Sequence, residues 1–97
     1  MTVRLHLPDE PVALKPIWYG RVLGGEPLTE ILGGEGGFVP WLWLRWRAVE
    51  ADGLDAKSFE GLVMEYQREL WLWLGGERTW AQCSSGLAGR IARRFPG

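Results

Sequence analysis

A chain of 97 residues has room for one hydrophobic core, because a second would have too little chain to bury itself. Hydrophobic residues make up 46% and charged residues 24%, the balance of a folding chain rather than a disordered one. The formal net charge of −1 gives no global field towards nucleic acid or an anionic membrane, although Arg78 to Gly97 carries four arginines and no acid.

Residues 2–7 alternate, with Val3, Leu5 and Leu7 on one side and Thr2, Arg4 and His6 on the other, which is the period of a half-buried strand. Pro8-Asp9-Glu10-Pro11 is turn chemistry, and Val12 to Pro16 reads as a returning strand. A β-hairpin is therefore expected over 2–16. Ile17 to Leu23 fits either a further strand or a helical turn, and Gly24-Gly25 breaks it. Pro27 at a first helical position, with Leu28, Ile31 and Leu32 on one side, predicts a short helix. Gly33 to Gly37 holds four glycines in five residues and reads as a flexible linker.

Pro40 opens an aromatic segment, Trp41 to Ala51, closed by Gly53 in the manner of a helix cap. Its alternation, Trp41-Trp43-Arg45-Arg47 against Leu42-Leu44-Trp46-Ala48, also suits a strand; proline before it and glycine after it favour helix. Asp55 is a good N-cap, and Phe59, Leu62, Val63, Tyr66, Leu70 and Trp73 follow as one helical stripe up to Gly75-Gly76. Thr79 and Gln82 have capping-box spacing for a last helix striped by Trp80, Cys83, Leu87, Ile91 and Phe95. The expected fold is α+β, mainly α: an N-terminal hairpin followed by three to four short helices. Residues 1–97 form one domain on this reading, with the hairpin at 2–16, a Gly-rich linker with a short helix at 24–37 and a helical part at 40–95.

Chemical motifs are sparse. No glycine is followed by the lysine and hydroxyl residue of a phosphate loop, and Val39 stands where a dinucleotide fingerprint after Gly34-Glu35-Gly36 needs glycine. Cys83 is the single cysteine and His6 the single histidine, which excludes an internal disulfide and a self-contained zinc site. The pair would serve as nucleophile and base only if the fold joined them, and Cys83 lies on an apolar stripe. Ser84-Ser85-Gly86 lacks a nucleophile elbow, and Glu65 with Glu69 reads as a solvated face. No catalytic, cofactor or metal site is expected. Met1 to Pro8 lacks the continuous apolar core of a secretory leader, and no apolar run nears the roughly 20 residues of a membrane span. A cytoplasmic setting is the expectation, the host cytoplasm if the protein is viral.

The order of hairpin, glycine-broken linker and short helices resembles the tail assembly chaperones of long-tailed bacteriophages. The resemblance is carried by Leu14-Lys15-Pro16 after the expected hairpin and by Gly53-Leu-Asp-Ala-Lys-Ser-Phe-Glu60 after the aromatic helix, and it spans residues 3–74. It implies a protein that coats the tape-measure protein during tail assembly and has no active site. The arginine-rich last helix has no counterpart in it.

Seven tryptophans in so short a chain are hard to hide completely, and tryptophan is enriched at binding hot spots. The expected function is thus a non-enzymatic protein-binding module, a viral assembly factor of the tail-chaperone kind. Trp41, Trp43, Trp46, Trp71 and Trp73 are the candidate protein-binding residues, and Arg90, Arg93 and Arg94 a candidate anion contact. The partner would be a phage tail or tape-measure protein, with self-association beside it; nucleic acid and membrane are disfavoured. The rival readings are a nucleic-acid-associated protein using the C-terminal arginines and a small inhibitor of a host protein.

Overall fold

Proline directs the start of the fold away from the expected hairpin. The computed structural model describes residues 7–47 and 53–94, so most of the first predicted arm, residues 2–6, lies outside the described residues. Leu7 to Pro11 is irregular, and the predicted second arm is not a strand. The N–H groups of Leu14 and Lys15 both donate to the Pro11 carbonyl, rolling the chain into helix α1 (Lys15–Leu23). Pro16 falls in the first turn, where a missing N–H costs nothing, so the residue expected to end a strand opens a helix. No strand occurs among the described residues, and the α+β expectation gives way to an all-helical arrangement.

Six helices are described rather than three to four. After α1 come α2 (Leu28–Gly33), α3 (Phe38–Arg47), α4 (Ala56–Glu65), α5 (Gln67–Leu74) and α6 (Trp80–Arg94). The α1–α2 turn is braced by the Arg21 guanidinium donating to both carboxylate oxygens of Glu26, at 2.6 and 2.7 Å. The aromatic segment is helical and begins at Phe38, earlier than expected; Pro40 is accommodated within its first turn. The expected end of that helix, at 48–51, lies outside the described residues.

Asp55 caps α4 by accepting from the Ser58 N–H at 2.7 Å, a bond that also holds its carboxyl below the usual range. The single helix expected up to Gly75 is broken at Tyr66 into α4 and α5. The stripe stays in phase across the break, and Phe59, Leu62, Val63, Tyr66, Leu70 and Trp73 are all buried. Thr79 and Gln82 close the capping box before α6, with reciprocal bonds of 3.1 and 3.2 Å.

Short α2 sits at the centre, packed against α1, α3, α4 and α5, while α6 covers α4 and α5. All six helices contribute to one apolar cluster. Its aromatic hub is Phe38, fully buried between Trp18, Trp41, Trp73 and Trp80 at centroid distances of 5.5 to 6.1 Å. The glycine segment joining α2 to α3 is a compact turn rather than an open linker. The Gly34 N–H donates to Glu30 and the Gly37 N–H to Gly34, and the Gly36 carbonyl accepts from the Trp18 indole at 3.0 Å. Gly36 adopts φ +73°, a conformation that only glycine reaches without strain.

Candidate protein-binding surface

Helix phase decides which tryptophans reach the surface. Trp46 and Trp73, both candidate binding residues, lie on the inner faces of α3 and α5 and are fully buried, so neither is available to a partner of this folded chain. Trp18 is buried with them. Trp43 is half-buried between the Phe59 ring, at 5.0 Å, and the Arg47 guanidinium, at 5.6 Å. Trp41 is half-buried against Trp18 and Phe38. Trp71 is the most open tryptophan, 37% exposed, with its ring against Tyr19 at 6.3 Å.

Tryptophan N–H groups tie the fold together instead. The indole of Trp73 donates to the Glu10 carboxylate at 2.9 Å and that of Trp80 to the Pro8 carbonyl at 3.0 Å. Lys15 reinforces the first tie, lying 3.4 Å from Glu10 and over the Trp73 ring. These bonds strap residues 8–14 across the tryptophan cluster. The Trp46 N–H is enclosed without a partner among the described residues.

The open apolar surface is aliphatic as much as aromatic. Val12 and Leu44 are 68% and 70% exposed. Val12 lines a groove of about 550 Å³ between the strap and the side chains of Trp41 and Arg45. Leu44 follows Trp41 by one helical turn and so extends the same face of α3. A second patch covers the outer side of α1 and α5. Leu23, 69% exposed, follows Tyr19 by one turn, and Tyr19 meets Trp71 from α5. Ile17 is open on the same helix. Sequence reading missed Val12, Ile17, Leu23 and Leu44, because aliphatic residues in these stripes look the same whether they face in or out. A strand reading of 12–16 also concealed where Val12 would point.

The arginines of α6 come together as the sequence spacing requires. Arg90, Arg93 and Arg94 line a shallow pocket of about 340 Å³ with Leu62 and Glu65. Arg90 lies over the Tyr66 ring at 5.4 Å and reaches Glu65 at 3.5 Å. Cys83 is buried, and burial pushes its thiol up to about 12, which keeps it protonated and unsuited to attack. His6, its supposed partner, lies outside the described residues. Among the described residues no group of three or more His, Cys, Asp or Glu side chains is placed to hold a metal ion, and no helix is long and apolar enough to cross a membrane. No protein-family model, curated protein or solved structure matches this chain.

Proposed function

We propose that the protein is a non-enzymatic protein-binding module that covers an apolar segment of its partner, as an assembly factor of the phage tail-chaperone kind. The carrying observation is the exposure of Val12, Ile17, Leu23, Leu44 and Trp71 in a chain whose core is already filled by Trp18, Trp46, Trp73 and Phe38. Single exposed leucines are ordinary; here Val12 and Trp41 line one groove, with Leu44 one helical turn beyond Trp41, and Tyr19 meets Trp71, with Leu23 one turn beyond Tyr19. The tail-assembly part of the reading rests on the resemblance at Gly53 to Glu60, a segment in which Asp55 caps α4; its other carrier, Leu14-Lys15-Pro16 after a hairpin, loses support because that stretch leads into α1 instead.

Co-expression tests it. An apolar helical fragment of a tape-measure protein, insoluble alone, is expected to become soluble beside this protein. The variant Leu44→Asp/Trp71→Ala is expected to return the fragment to the pellet while keeping the native helical spectrum. A fragment equally insoluble with and without the protein would remove the tail-assembly reading. Solubilisation untouched by the variant would remove the surface assignment.

A further inference from the structure

The arginine pocket on α6 uses none of the apolar surface and stands apart from the proposal above. We propose that Arg90, Arg93 and Arg94, with Leu62 beneath them, receive an acidic side chain of a partner polypeptide. On a helix, residues at i, i+3 and i+4 share a face, so the sequence alone places these cations side by side. The fold then supplies a wall and a floor. Tyr66 supports the Arg90 guanidinium from below, Leu62 is buried beneath the pocket, and Glu65 stands at its edge.

The fixed charge is unbalanced. Three guanidinium groups face the one carboxylate that lines the pocket. The Arg90–Glu65 contact is long, at 3.5 Å, and the Arg90 Nε is enclosed with no hydrogen-bond partner among the described residues. Arg93 and Arg94 are exposed and make no ion pair among the described residues. Cations near a helix C-terminus are favoured by the dipole, which accounts for Arg93 and Arg94 being tolerated there. The dipole does not account for Arg90 being held over a ring and facing the same pocket.

A carboxylate flanked by an apolar group fits this arrangement better than a nucleic acid. Guanidinium groups pair with carboxylates through planar, two-pronged hydrogen bonds, and Leu62 offers contact to a neighbouring aliphatic side chain. A phosphate backbone needs a continuous basic path. Here Glu65 interrupts the basic surface at the pocket itself, and the whole chain is net negative.

The test is a titration of the 15N-labelled full chain, following the arginine Nε–H resonances by NMR. The probe is a blocked peptide alternating leucine with pairs of glutamate. Saturable shifts at Arg90, Arg93 and Arg94 are expected, with affinity reduced about tenfold in the exposed double variant Arg93→Gln/Arg94→Gln, equivalent to about 1.4 kcal/mol. Leu44→Asp/Trp71→Ala should bind this peptide as the unaltered chain does, which separates the pocket from the apolar surface. Equal binding of the glutamine version of the peptide, or no saturation, would overturn the proposal. So would the same saturating shifts with inorganic phosphate alone, or tighter binding of an oligothymidylate.

Discussion

At the residue scale the clearest consequence concerns Cys83 and its neighbour Tyr66. Desolvation raises the Cys83 thiol from 9.0 to about 12, with nearby Glu69 adding to it, and desolvation also raises the Tyr66 phenol above 10.0. Below pH 9 both folded and unfolded chains hold the thiol proton, so this contribution to stability is fully present. Between 9.0 and about 12 the unfolded chain releases the proton while the folded chain retains it, and stability falls as pH rises. Denaturant midpoints measured across that window should therefore decline, and Cys83→Ala should flatten the decline whatever it does to stability at neutral pH. Parallel curves for the two proteins would show that the thiol is not responsible. The apolar stripe had already indicated a buried thiol; its surroundings of Tyr66 and Glu69 come from elements distant in the chain.

At the scale of elements, the break between α4 and α5 is the feature that periodicity concealed. Tyr66 ends α4 with near-helical backbone angles, so the buried stripe runs through the break without losing step. Its ring lies against α6 at Gly86, where an added Cβ would overlap the phenol. Gly86 weakens α6 by its own propensity, yet it permits this close approach. Gly86→Ala should improve the isolated helix but destabilise the folded protein by about 1–3 kcal/mol, the usual cost of forcing volume into a packed site. Urea denaturation would measure this, and an unchanged or increased midpoint would mean that Tyr66 moves aside freely. The caps, by contrast, could be read directly. Asp55 with Ser58, and Thr79 with Gln82, are local bonds between residues three apart, so their spacing is sufficient information.

At the scale of the whole molecule, residues 8–14 are held to the helices by bonds between residues more than sixty positions apart in the chain. Glu10 accepts from Trp73, and Pro8 from Trp80. Removing the Glu10 carboxylate leaves the buried Trp73 N–H without its acceptor, so Glu10→Ala should cost about 1–3 kcal/mol. Glu10→Gln retains an acceptor oxygen and should cost less, though it loses the ion pair with Lys15. Chemical denaturation of both variants tests the tie; equal small losses would mean that the strap contributes little. The strap also forms one wall of the groove beside Trp41 and Arg45, so its attachment shapes that part of the proposed binding surface.

The sequence by itself determined the buried stripe of α4 and α5, its continuation through Cys83, Leu87 and Ile91 on α6, the two N-terminal caps and the clustering of Arg90, Arg93 and Arg94. Each depends only on residues within a turn or two of one another. Trp80 is only partly buried, and Phe95, the expected end of the α6 stripe, lies outside the described residues. Only the tertiary structure decided that 12–16 leads into a helix, that the glycine segment is a pinned turn, and that Trp46 and Trp73 are core. A strand-like alternation over so few residues carries little energy of its own. It yields to the burial of Trp18 on α1 and to the bonds from Trp18, Trp73 and Trp80 that fix the flanking chain. Tryptophan content marks a chain rich in apolar area. Which tryptophans remain open is set by how helices pack on α2, a matter of contacts between elements that no local pattern encodes.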